Sequence, residues 1–129
     1  MTGSVPCNPE VEVTKPTLDH IAINVPDLDA LVERLTTAFG MVAEVRFDQF
    51  ALLADPATGL KLELGRSGDG EVHFRHFGFR TDDVDSAHET LVDAGMRVGE
   101  PPHRRDFARM YTSFLKQPDG FEVQLVKYD

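Results

Sequence analysis

The chain carries one segment twice, and that duplication constrains its fold more than any other feature. Asp19-His20-Ile21-Ala22-Ile23-Asn24-Val25-Pro26-Asp27-Leu28-Asp29 returns as Arg75-His76-Phe77-Gly78-Phe79-Arg80-Thr81-Asp82-Asp83-Val84-Asp85. The histidine, the later acidic positions and the apolar residue between them keep their offsets. The parallel continues where Gly40-Met41 matches Gly95-Met96, and where residues 56–64 match residues 118–125. Each half, about 55 to 60 residues, is marginal as an independent core, so two like half-domains should bury each other. If they do so about a pseudo-twofold axis, equivalent side chains approach that axis. The duplication then offers His20 with Glu63, and His76 with Gln124, as four ligand-type groups for one site.

Length and charge narrow the partners. The 129 residues suit one domain, and 22 acidic against 13 basic residues give a formal charge of -9, which opposes nonspecific binding to nucleic acid or an anionic membrane surface. The single cysteine, Cys7, cannot form an intrachain disulfide and has no base beside it in sequence, so a reducing, cytoplasmic setting is expected and a nucleophilic role is not. Residues 1–16 hold three prolines and little periodic hydrophobicity, and read as a flexible N-terminal arm with no signal-peptide pattern. No apolar run is long enough to span a bilayer as a helix.

Along residues 17–129, read as a single domain, the hydrophobic period alternates between that of strands and that of helices. Residues 17–25 read as a strand. A helix follows, capped by Asp27 or Asp29, with Leu28, Leu31, Val32, Leu35 and Phe39 on one face and Gly40 at its stop. Residues 41–47, 49–54 and 60–64 read as three strands. The order then repeats: a strand over 72–81, a helix over 84–94 stopped by Gly95, and strands over 96–98, 110–116 and 121–126. The modules span about 17–65 and 72–127, with a glycine-rich linker between. Strand alternation places His20, Ala22 and Asn24 opposite Ile21, Ile23 and Val25, and His76, Gly78 and Arg80 opposite Phe77 and Phe79. Glu63 opposes Leu62 and Leu64, and Gln124 opposes Val123 and Leu125. The bulky faces must meet the helices, so the four candidate groups point away from them.

These features resemble the vicinal oxygen chelate superfamily, which includes glyoxalase I, methylmalonyl-CoA epimerase, fosfomycin-resistance transferases, extradiol dioxygenases and bleomycin-binding proteins. The similarity covers about residues 17–127 and rests on Leu18-Asp19-His20-Ile21-Ala22-Ile23 before Pro26-Asp27-Leu28, on His76-Phe77-Gly78-Phe79 before Asp82-Asp83-Val84, and on Gln117-Pro118-Asp119-Gly120-Phe121. The resemblance implies an α+β fold, two βαβββ modules forming a curved, half-open barrel sheet with helices outside, around one divalent metal ion. It places the metal positions on His20, Glu63, His76 and Gln124. Nickel, cobalt, zinc, manganese or iron(II) would suit two imidazoles and two oxygens. Gln124 departs from the family pattern, in which most metal-dependent members have glutamate there.

That departure bears on mechanism. A glutamine cannot serve as a base, so Glu63 is the expected catalytic base of a lyase or isomerase that takes a proton next to a carbonyl and leaves a metal-stabilised enolate. His20, His76 and Glu63 also make the two-histidine, one-carboxylate set of iron(II) oxygen chemistry, which keeps a dioxygenase as the alternative. A metal-free binding or resistance protein is the third reading. Asn24, Arg80, Arg109, Tyr111 and Ser113 are the expected substrate contacts, the last three on one face of the seventh strand. Arg104, Arg105 and Arg109 form a basic patch able to steer an anionic small molecule. Residues 99–108 are the expected wall or lid. His73 and His103 read as surface residues and His88 as part of a polar helix stripe, none of them a ligand. A homodimer is the expected assembly.

Overall fold

The computed structural model describes residues 15–129. The expected arm, including Cys7, lies outside the described residues apart from Lys15 and Pro16. The described residues form an α+β fold, with eight strands and two helices in the order of two βαβββ modules. The strands are β1 (Thr17–Val25), β2 (Val42–Phe47), β3 (Phe50–Ala54), β4 (Lys61–Arg66), β5 (His73–Arg80), β6 (Arg97–Arg105), β7 (Met110–Lys116) and β8 (Glu122–Tyr128); the helices are α1 (Leu28–Phe39) and α2 (Val84–Asp93). Among the described residues no helix is long and apolar enough to cross a membrane. Two compact units divide at Gly78 and Phe79.

In the unit of residues 18–78, the strands run β2-β3-β4-β1-β5. β1 and β4 are parallel, with Ala22 opposite Glu63, while β2, β3 and β4 are antiparallel neighbours. α1 begins where Asp27 accepts a hydrogen bond from the Ala30 amide at 3.1 Å, and it ends at Gly40, whose φ of 72° places it in the left-handed region that a side chain disfavours. Leu28 of α1 packs with Val25, Ala51, Leu53 and Leu64, joined by Leu31, Val32 and Leu35. Phe39 does not extend this stripe. It is 70 % exposed, because the inward face ends with Leu35 one turn earlier.

In the unit containing residues 79–129, β7 lies between β8 and β6, antiparallel to both. The Thr81 amide bonds to the Val126 carbonyl at 3.0 Å. Asp83 caps α2 through the Ser86 amide, and Val84, Leu115 and Leu125 form the core with Phe79, Ala87, Leu91 and Tyr111. β6 is much longer than residues 96–98, and it occupies most of the stretch expected to be a lid. Pro101 and Pro102 argue against a strand, but this one is an edge of the order β8-β7-β6 and its pairing with β7 shifts register twice, which tolerates missing amides. His88 corrects another expectation. It is one turn after Val84, so it falls on the buried face of α2, where its Nδ1 lies 2.9 Å from the Ser113 hydroxyl.

Candidate metal centre

β1 has β4 on one side and β5 on the other, so side chains on one face of these three strands converge. On the face opposite Val25 and Leu64, His20, Glu63 and His76 each bring one ligand atom to within 4.8 Å of the others. The two histidine Nε2 atoms are 3.2 Å apart. Glu63 places Oε1 3.7 Å from the first and Oε2 3.8 Å from the second. The rings meet edge to face, with an interplanar angle of 80°, which brings nitrogens together rather than ring faces. His20 and His76 are buried, and Glu63 is 9 % exposed.

Small neighbours make that convergence possible. A Cβ at Gly78 would stand 2.0 to 2.4 Å from three atoms of the His20 ring, closer than any real contact. The ring therefore occupies the space that Gly78 leaves. On the other side, the Asp19 carboxylate lies 2.8 Å from His20 Nδ1. A carboxylate accepts hydrogen bonds, so a hydrogen on this nitrogen would leave the Nε2 lone pair turned to the cluster. Arg75 donates from Nη1 to Glu63 Oε2 at 3.1 Å.

These donors fit a divalent ion. Bonds of about 2.0–2.2 Å to one centre put neighbouring donors roughly 3–3.5 Å apart, close to the separations present. Two imidazoles and a carboxylate suit a borderline cation, and a ligating His20 Nε2 needs its hydrogen on Nδ1, the nitrogen that faces Asp19.

The other expected site residues have surroundings of their own. Asn24 shares the His20 face of β1, and its Oδ1 occupies the space above Gly65, where a Cβ would come within 2.4 Å. Arg80 is exposed at the end of β5. Gln124 belongs to the second unit, where it is 2 % exposed. It bonds through Nε2 to Thr112 Oγ1 at 2.8 Å, and Thr112 in turn donates to the Leu125 carbonyl at 2.6 Å. The hydroxyl has one hydrogen, already given to Leu125, so the atom of Gln124 facing it must be the amide nitrogen.

The placement of the seventh-strand group differs from expectation. Tyr111 and Ser113 lie on the α2 side of β7, opposite the face of Thr112 and Gln124, because residues facing each other across the β7–β8 ladder share a side. Tyr111 donates to Asp85 at 2.8 Å and Ser113 pairs with His88. The carboxylate of Asp85 raises the Tyr111 hydroxyl above its usual range, first through this hydrogen bond. Arg109 precedes the strand, with a left-handed φ of 54° that closes the short 3-10 turn Asp106–Ala108. Nor is the basic patch a bare cationic surface. Arg104 pairs with Asp106 and Asp129, and Arg105 pairs with Glu100 while lying over the Phe114 ring.

Asp19, Arg75 and Thr112 are the partners that pattern reading missed. The one signal available was that Asp19 and Arg75 immediately precede the two repeated histidines.

The relatives agree with this architecture. Residues 17–125 match the family described as Glyoxalase/Bleomycin resistance protein/Dioxygenase superfamily. The chain is 28% identical over 121 residues to lactoylglutathione lyase of Arabidopsis thaliana, which covers 84% of this chain but only 43% of that relative's length. Methylmalonyl-CoA epimerase from Mycobacterium tuberculosis is 26% identical with a TM-score of 0.71, covering 88% of both chains. A variant of Streptomyces coelicolor methylmalonyl-CoA epimerase in complex with 2-nitronate-propionyl-CoA is 28% identical with a TM-score of 0.67, over 88% of this chain and 99% of that one. With a family match running through most of both βαβββ modules, the chain belongs to the Glyoxalase/Bleomycin resistance protein/Dioxygenase superfamily.

Proposed function

We propose that this chain is a metal-dependent lyase or isomerase that removes a proton next to a carbonyl of a small molecule. The observation that carries the reading is the buried convergence of His20, Glu63 and His76 on one point. These three would hold one divalent ion. Bound there, it would polarise the substrate carbonyl and stabilise the negative charge that develops on its oxygen.

Glu63 is the base in this reading. Arg75 occupies Oε2, which leaves Oε1 to take the proton. The C–H bond breaks as an O–H bond forms on Glu63, and the electron pair moves towards the carbonyl oxygen. Return of the proton to that carbon or its neighbour completes an isomerisation. Burial of the histidines shields the imidazoles from bulk solvent. A thioester, like the methylmalonyl-CoA and lactoylglutathione in the names of the relatives, is the proposed substrate class. Gln124 is proposed as a further neutral donor on the resemblance alone, and a weaker ion affinity in Gln124→Ala tests it.

Protein purified without chelator should carry about one nickel, cobalt, zinc or manganese per chain. Glu63→Gln should still take up metal yet lose exchange of the substrate's α-proton with deuterated solvent by roughly 100-fold or more. Retained exchange would remove Glu63 as the base. The triad also has the composition of an iron(II) oxygenase site; iron as the native metal, with oxygen uptake on a catechol, would favour that second reading.

A further inference from the structure

We propose that Asp19 is the positioning residue of this site, holding His20 as the Nδ1–H tautomer so that its Nε2 lone pair faces Glu63 and His76. The inference rests on the metal reading above but assigns Asp19 a role that the reading does not need.

Three observations converge on it. Asp19 is 1 % exposed, and a buried carboxylate is costly unless strong hydrogen bonds offset its lost hydration. The bond to His20 Nδ1, at 2.8 Å, is such a contact. It also sets which ring nitrogen carries the hydrogen, and the other nitrogen is the one 3.2 Å from His76 Nε2 and 3.7 Å from Glu63. Finally, the ring cannot swing away from the carboxylate on the Gly78 side without meeting backbone, since ring and glycine are already in contact where a Cβ would be. Asp19 fixes the tautomer while Gly78 fixes the plane. A carboxylate behind a metal-binding imidazole does this generally, and its loss costs metal affinity even though it never touches the ion.

The first test needs no metal. A long-range proton–nitrogen correlation spectrum of the metal-free wild type at neutral pH should show His20 with hydrogen on Nδ1; hydrogen on Nε2 would overturn the proposal. The second test titrates zinc against a chromophoric chelator. Asp19→Ala should bind roughly 10- to 100-fold more weakly than wild type, whereas Asp19→Asn, which keeps an acceptor oxygen, should recover most of that loss. Wild-type affinity in Asp19→Ala, or an asparagine variant as weak as the alanine one, would sink the positioning role. Should the alanine variant fail to fold, the wild-type spectrum still decides. A wild type that binds no ion would end the metal reading, while the His20 spectrum would report on Asp19 independently.

Discussion

The two copies of the repeated strand keep the same ligand-type residue and differ in what surrounds it. Asp19 before His20 corresponds to Arg75 before His76, and Ala22 after the first histidine corresponds to Gly78 after the second. Asp19 bonds the imidazole beside it, whereas Arg75 reaches across to Glu63 on β4. Ala22 is buried with a methyl group in place; Gly78 has no room for one. Duplication supplies a pair of imidazoles, and divergence of their neighbours makes the two inequivalent. One position sets a tautomer, the other fixes a carboxylate, and one small residue is obligatory where the other is not.

The sharpest way to break this comparison is to exchange the small residues. Gly78→Ala puts a carbon into the His20 ring, so the ring must move; we expect a loss of about 1–3 kcal/mol of stability from overpacking together with loss of measurable zinc binding. Ala22→Gly should cost only about 0.5–1 kcal/mol through the freer backbone and leave the ion bound. Urea denaturation and zinc titration of both variants check this. Equal behaviour would show that β1 and β5 have not diverged in the way described.

A second contrast is that between the two side-chain oxygens of the repeat. Glu63 pairs with Arg75, while Gln124 bonds to the Thr112 hydroxyl. The Thr112 hydroxyl gives its hydrogen to Leu125, so it can only accept from residue 124. Gln124→Glu would set a carboxylate oxygen against that lone pair, and should lose about 1–3 kcal/mol at neutral pH, the cost of leaving buried polar groups unmatched. This gives a local reason for the departure from the family's usual glutamate. Gln124→Glu in a Thr112→Val background should lose less. If urea melts show the same cost in both backgrounds, the threonine is not the reason.

Much of the fold was legible because alternation and capping are local. The span of β7 was read at both ends, and His20, Glu63 and His76 were placed on one set of faces by period-two spacing alone. What was not legible depends on partners distant in sequence, or on exceptions to alternation. β6 reads as a shorter strand from sequence because its prolines are tolerated only at an edge. The polar neighbours of His88 suggest a solvent stripe, although its spacing from Val84 puts it inward. Asp19 is silent in the sequence, since neighbours along a strand are expected on opposite faces and nothing in the pattern shows a carboxylate turning to the next ring. Tyr111 and Ser113 read as substrate contacts from their shared face, and that face of β7 is the one α2 packs on.

Arg75 sharpens the first comparison more gently. Its side chain is 38 % exposed, and partly hydrated ion pairs contribute about 0–1 kcal/mol. Arg75→Ala should therefore change stability by less than about 1 kcal/mol and weaken zinc binding far less than Asp19→Ala does. The loss should instead appear in the deuterium exchange rate, because Glu63 is no longer held by Oε2. If Arg75→Ala and Asp19→Ala lower zinc affinity equally, the two positions serve the site in the same way and the proposed division of labour is wrong.

The smallest expected effect lies outside the cluster and separates cluster behaviour from ordinary surface electrostatics. Asp29, in the first turn of α1, is held below the usual carboxylate range by the Arg66 hydrogen bond first and by the charges of Arg66 and Arg46. Its pairing with Arg66 spans 2.9 Å, and Arg46 adds a second guanidinium contact. A carboxylate whose folded pKa is depressed contributes stability above its unfolded pKa of about 3.9, and that contribution disappears as pH falls through the folded value. Asp29→Asn should thus be slightly less stable than wild type at pH 7, with the gap shrinking below about pH 4. Salt should shrink it as well, because the group is exposed and screened. Zinc affinity should not respond to this substitution at any pH where the fold holds, since Asp29 touches arginines of β2 and β4 rather than His20, Glu63 or His76. A change in zinc affinity as large as that of Asp19→Ala would mean that metal binding reports the general electrostatics of the unit, and the contrast between the two histidine strands would lose its readout.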